Sequence, residues 1–77
     1  MIEEMKELIA ADLGVDPAEV TETASFKEDL GADSLDLFEL VTNLEEEYSI
    51  EIPAEQLEEM TTVGKVIDYL KSIHIEA

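Results

Sequence analysis

Apolar residues recur along this chain at intervals of three and four. Ile2, Met5, Ile9 and Leu13, with Leu8 beside them, make one apolar stripe of a first amphipathic helix, and Gly14 stands where a helix C-terminal cap belongs. A second helix is predicted over 34–48, because Leu37, Leu40, Val41, Leu44 and Tyr48 share a face at 100° per residue. Pro53 is tolerated at the first position of a third, short helix ending near Met60, with Leu57 as its inward anchor. Thr61 or Thr62 caps a fourth, in which Val63, Val66, Ile67, Leu70 and Ile73 repeat at helical spacing, and Ile75-Glu76-Ala77 follows as a frayed end. The connection from Val15 to Asp33 is long for so small a chain, yet it carries local signals. Asp16 before Pro17 marks a short turn, and Ser25 with Glu28 forms a capping-box pattern that presents Phe26 and Leu30 inward. Strand alternation and internal repeats are missing from the pattern. The expected fold class is all-α: a compact four-helix bundle of three longer helices and one short one, with a long first loop, in a single domain over 1–77.

Charge narrows the partners. The 77 residues hold 21 Asp and Glu against 4 Lys and Arg, a formal net charge of −17. Nucleic acid is excluded as a direct partner, since phosphate backbones are bound by clustered basic residues, and Lys6, Lys27, Lys65 and Lys71 are scattered. Anionic membranes repel such a chain, so membrane insertion is not expected, and basic protein patches attract it by long-range steering. With 45% hydrophobic residues the chain still has enough apolar content to fold. It has no cysteine, which suits a reducing compartment, and Met1-Ile2-Glu3-Glu4 lacks the basic and apolar regions of a secretion signal; a soluble, cytoplasmic protein is expected.

Gly31-Ala32-Asp33-Ser34-Leu35-Asp36 is where chemistry could reside. It sets a serine hydroxyl where a turn becomes the start of an acid-rich helix. The first N–H groups of a helix have no intrahelical partner, and its dipole favours an anion there, so a phosphodiester on Ser34 would be stabilised. The plainer alternative is that Asp33 or Ser34 is an ordinary N-cap. No catalytic residue is expected: the sole histidine, His74, lies past the last core positions of the fourth helix. No metal site is expected either, because neighbouring acids such as Glu45-Glu46-Glu47 and Glu58-Glu59 point in different directions and lack calcium-loop spacing. Leu35 falls about 160° around the helix from Leu37, on the side of Glu39, Thr42 and Glu46, where it has little core to join. An apolar anchor ringed by carboxylates suits brief docking to basic surfaces.

This motif, with Asp29-Leu30 before it and Glu39-Leu40-Val41 and Leu44-Glu45-Glu46-Glu47 after it, resembles the acyl carrier proteins of fatty acid synthesis, over nearly the whole chain to Tyr69-Leu70. The resemblance implies that Ser34, flanked by Asp33, carries phosphopantetheine. A phosphopantetheinyl transferase would supply the group from coenzyme A, and its thiol would hold growing fatty acyl chains as thioesters. It implies the same helical fold, no enzymatic activity of the protein's own, and a monomer visiting fatty acid synthesis enzymes through basic docking patches. The second helix would be the recognition element, through Leu35, Asp36, Glu39, Thr42 and Glu46. The chain departs from the family at Thr42, where many relatives carry a larger apolar residue, and at Phe38, where a smaller one is common. The resemblance also implies an acyl shelter between the second and third helices, for which Leu37, Val41, Leu44, Ile52, Leu57, Met60 and Ile67 are candidates; by their spacing alone they are core residues. A carrier of aminoacyl, D-alanyl or polyketide units would share Ser34, and a non-covalent acidic interaction module would use it only as a cap.

Overall fold

The structure, a computed structural model, describes residues 2–75. Four α-helices form where the apolar periodicity places them: α1 Glu3–Leu13, α2 Ser34–Tyr48, α3 Ala54–Leu57 and α4 Val63–Ser72, with a 3-10 turn at Pro17–Glu19. Among the described residues there is no strand, only an isolated antiparallel bridge between Ser25 and Thr62. α1 stops at Gly14, whose left-handed φ of 69° lets its N–H reach the Ala10 carbonyl. Met5, Ile9 and Ala10 are its buried residues. Ile2, expected on the same stripe, is the residue before the helix and is 37% exposed, because it lies beyond the first turn that packs. α2 buries Leu40, Val41 and Leu44, with Leu37 and Tyr48 half-buried beside them. α4 contributes Val63, Val66, Ile67 and Leu70, and the Thr62 hydroxyl caps it by accepting from the Lys65 N–H at 3.3 Å.

α1 packs on α2 and on the 3-10 turn, and α2 packs on α3. The long connection is part of the core. Val20, Ala24, Phe26, Leu30 and Ala32 are all buried, so nearly a third of the buried apolar residues come from this connection. Local hydrogen bonds hold it: the Asp16 carboxylate accepts from the Ala18 N–H at 2.9 Å, and the Ser25 hydroxyl accepts from the Glu28 N–H at 3.3 Å. The return bond of the expected capping box comes from a different acid, for the Ser25 N–H donates to Asp29 at 2.7 Å, and residues 26–30 form a turn rather than a helix. Three backbone bonds then stitch the connection to the start of α4. Phe26 N–H donates to the Thr61 carbonyl at 3.1 Å, Val63 N–H to Ala24 at 3.0 Å, and Gly64 N–H to Glu22 at 2.8 Å.

α3 is shorter than its apolar spacing suggests. Pro53 precedes it instead of opening it and offers no side-chain cap, and beyond Leu57 the chain continues through bonds from Glu59 to Gln56 and from Met60 to Leu57. These three-residue steps make a tight turn and not another α-helical turn. The Glu45 carboxylate pins the approach to α3 by accepting from the buried Ile52 N–H at 2.8 Å. At the C-terminus, Ile75 packs against the core and donates to the Leu70 carbonyl at 2.9 Å, so it is not frayed; Glu76 and Ala77 lie outside the described residues.

Candidate functional site at the start of the second helix

Phe26 and Gly31 set the direction in which α2 departs. The Phe26 carbonyl accepts from the Ala32 N–H at 2.7 Å, and Gly31 takes φ 63°, which closes the turn just ahead of Asp33. Asp33 is extended and caps the helix: its carboxylate accepts from the Asp36 N–H at 3.0 Å, while the Asp36 carboxylate accepts from the Asp33 N–H at 3.3 Å. The Asp33 carbonyl takes the Leu37 N–H at 3.0 Å. No acceptor among the described residues reaches the N–H groups of Ser34 and Leu35, the two at the tip of the helix. Ser34 is itself exposed. An accessible hydroxyl thus stands beside two open donors and the positive end of a 15-residue helix.

A groove of about 510 Å³ opens next to Ser34, floored by Phe26, Leu37, Leu57 and Met60, with Lys27, Glu28, Asp33 and Glu58 among its charged lining. On the outer side of α2, Leu35 is 64% and Phe38 54% exposed. Asp36 and Glu39 are exposed next to them and Glu46 is exposed about two turns further along, and Thr42 is half-buried with its hydroxyl donating to the Phe38 carbonyl at 2.9 Å. His74 lies past the end of α4, and no three acids or histidines gather as a metal site among the described residues. No helix there is long and apolar enough to cross a membrane.

The model of the phosphopantetheine attachment site family matches residues 3–70, which is most of the chain. The chain belongs to this family. A solved structure from Mycobacterium tuberculosis, of a protein assigned as an acyl carrier protein, superposes on it with a TM-score of 0.84 at 34% identity, covering 92% of this chain and 95% of that one. Proteins of the family carry phosphopantetheine as a covalently attached group, and this protein is such an acyl-carrier-like domain, with phosphopantetheine as its cofactor.

Within this carrier the expected residues separate into three places. Ser34 and Asp33 meet at the helix start; Leu35, Asp36, Glu39, Thr42 and Glu46 share the outer side of α2. Of the seven candidates for an acyl shelter, Leu37, Leu57 and Met60 line the groove, Met60 being a core residue as well, while Val41, Leu44, Ile52 and Ile67 are buried in the core and do not line it. The groove runs between the connection at 25–32, the start of α2 and the segment 57–61. Two features of the carrier went unread in the sequence. The Asp33–Asp36 box has the right three-residue spacing but uses Asp at both places instead of Ser or Thr with Glu. Phe38 stands 60° from Leu35 on a helix, a spacing that itself places it on the same exposed side.

Proposed function

We propose that this protein is a fatty acyl carrier whose phosphopantetheine is attached to Ser34, in one carrier domain over 1–77. The observation that carries the reading is the helix start at Ser34, and the other serines make the contrast. Ser25 accepts a backbone N–H, the Ser72 hydroxyl donates to the Tyr69 carbonyl, and Ser49 closes the negative end of α2. Ser34 alone combines exposure with open donors that would receive a phosphodiester. In loading, Ser34 Oγ attacks the pantetheine-side phosphorus of coenzyme A. An O–P bond forms as the pyrophosphate bond breaks, adenosine bisphosphate leaves, and the serine proton passes to a base on the transferase. Exposure matters more than activation, because the base and any metal belong to the partner, and the carrier has no catalytic activity of its own.

The groove beside Ser34 supports an acyl cargo. Each methylene it shelters gains about 0.8 kcal/mol relative to water, and Leu37, Leu57 and Met60 form its apolar wall; a longer chain reaches Val41, Leu44, Ile52 and Ile67 by parting the core. Fatty acid synthesis, and not another carrier pathway, is supported by the net charge of −17 and by Asp33-Ser34-Leu35-Asp36. The carrier works as a cytoplasmic monomer, presenting Leu35, Asp36, Glu39, Thr42 and Glu46 to a phosphopantetheinyl transferase and to synthesis enzymes with basic docking patches. Intact mass of the protein from its own host, before and after hydroxylamine, tests this. The expected result is one phosphopantetheine on Ser34, bearing a fatty acyl increment that hydroxylamine removes, and none on Ser34→Ala. An aminoacyl or polyketide increment would reassign the cargo; an alanine variant that still gains the arm, or a wild type that never does, would overturn the site.

A further inference from the structure

Of the four lysines, only Lys27 lines the groove that opens beside Ser34. Lys6 lies on α1, Lys71 is in the last turn of α4, and Lys65 lines a separate groove with Glu58, Glu59 and Asp68. The backbone that carries Lys27 is held against the turn leading into the serine. The Phe26 carbonyl, which belongs to the peptide link with Lys27, accepts from the Ala32 N–H at 2.7 Å, and the Ser25 carbonyl takes the N–H groups of Asp29 and Leu30 at 2.9 and 3.1 Å. Every other charged side chain of the groove is a carboxylate, from Glu28, Asp33 and Glu58. An anion placed in this groove, on a chain of net charge −17, therefore has one side-chain counter-charge there.

We propose that Lys27 is a positioning residue for the loaded arm: its ammonium pairs with the phosphodiester and holds the arm over the groove; this rests on Ser34 as the attachment site. The open N–H groups of Ser34 and Leu35 favour the phosphate at the helix end, but a dipole directed along the axis does not choose between the groove and the outer side that carries Leu35. Lys27, present on the groove side, makes that choice. The chemistry of the arm fits it. One methylene beyond the phosphate ester oxygen stands a carbon bearing two methyl groups, the first apolar surface of the arm, and a phosphate turned toward Lys27 brings these methyls to the apolar floor of Phe26, Leu37, Leu57 and Met60. Without the ammonium the phosphate meets only like charge in the groove, and the arm swings out to solvent. Lysine suits a resting place that must be left again, because it is a point charge on a flexible stem and an exposed ion pair is weak.

The experiment uses the loaded protein, made by a phosphopantetheinyl transferase from unlabelled coenzyme A on isotope-labelled carrier, so that isotope-filtered NMR reads contacts between the arm's methyl groups and the carrier's side chains. Wild type, Lys27→Gln, Lys27→Arg and, as a lysine outside the groove, Lys65→Gln are compared, with circular dichroism checking the fold and intact mass the loading. Wild type at low salt should show cross-peaks from the arm methyls to Leu37, Leu57 and Met60. Lys27→Gln should weaken them about two- to fivefold, the range of an exposed ion pair. About 1 M salt should do the same to wild type, since the Debye length there is only about 3 Å. Lys27→Arg and Lys65→Gln should leave them unchanged. Equal cross-peaks in wild type and Lys27→Gln overturn the proposal, and so does equal weakening by Lys65→Gln, which would make the effect one of net charge. Their absence from wild type, or their appearance at Leu35 and Phe38 instead, overturns it as well. Should Lys27→Gln fail to fold, the salt series on wild type decides. Wild type that takes no arm by mass counts against the Ser34 assignment itself, a result distinct from a loaded arm that stays out of the groove.

Discussion

At the start of α4 the N–H groups of Val63 and Gly64 are taken by the carbonyls of Ala24 and Glu22, at 3.0 and 2.8 Å, whereas those of Ser34 and Leu35 at the start of α2 have no acceptor among the described residues. Both helices are capped alike in other respects, by a side-chain oxygen that receives the N–H three positions on: Asp33 from Asp36 and Thr62 from Lys65. One start is sealed by the long connection and serves stability. The other is left open, and its unspent donors sit beside an accessible hydroxyl. A helix N-terminus becomes a site only when the fold declines to close it.

The sealed end should be the more fragile to substitution. A Cβ at Gly64 would lie 2.7 Å from the Glu22 carbonyl oxygen, which forces the connection and α4 apart. Gly64→Ala is expected to cost about 2–3 kcal/mol, in the range of overpacked sites, read as a fall in the thermal midpoint; a midpoint within a degree or two of wild type would show that the seal is not tight. Next in size, removing either cap should cost about 1 kcal/mol. Asp33→Ala keeps the backbone N–H that donates to the Asp36 carboxylate, so the double variant with Asp36→Ala should lose more than Asp33→Ala alone. Equal losses in paired urea titrations would mean that the reciprocal bond adds nothing.

These features were unequally legible in the sequence. The limits of α2 and the sealing helix α4 followed from apolar spacing, because each buries one face of a regular helix. The close approach of Gly64 to Glu22 carries no local signature, since it arises from two segments far apart in the chain. Ser34 was singled out by its place at a helix start and by family resemblance; its two open N–H groups depend on what the rest of the fold does not put there. The acyl shelter was the least legible part, as a lining residue and a core residue have the same apolar periodicity, and only the structure divides Leu37, Leu57 and Met60 from Val41, Leu44, Ile52 and Ile67.

Smaller still is the effect expected from filling the open end. A phosphodiester on Ser34 should stabilise the loaded protein over the unloaded one by about 0.3–1 kcal/mol, as anions at helix N-termini do. Melts of the two forms at low ionic strength measure it, and a loaded form that melts no higher would mean that the open donors are not used by the arm. The smallest effect belongs to the far end of α2. Burial raises the pKa of the Tyr48 phenol, helped by the negative charges of Glu47 and Glu4. The folded protein then holds a proton that the unfolded chain has released. This contribution is intact below the unfolded phenol value of about 10 and is lost as pH rises through the raised folded value. Tyr48→Phe should flatten that alkaline loss in a stability series, and an unchanged slope would remove Tyr48 from the account.

The clip at Phe26 ties the turn before Ser34 to the start of α4. Through its N–H this residue holds Thr61, and through its carbonyl it holds Ala32, two residues ahead of Ser34. A nascent chain that has not yet delivered residues 61–64 from the ribosome has neither this bond nor those to Ala24 and Glu22, and the turn before Ser34 lacks its fixed partner. The frame around the serine is therefore shared between its own turn and residues 61–64, which lie far from it along the chain.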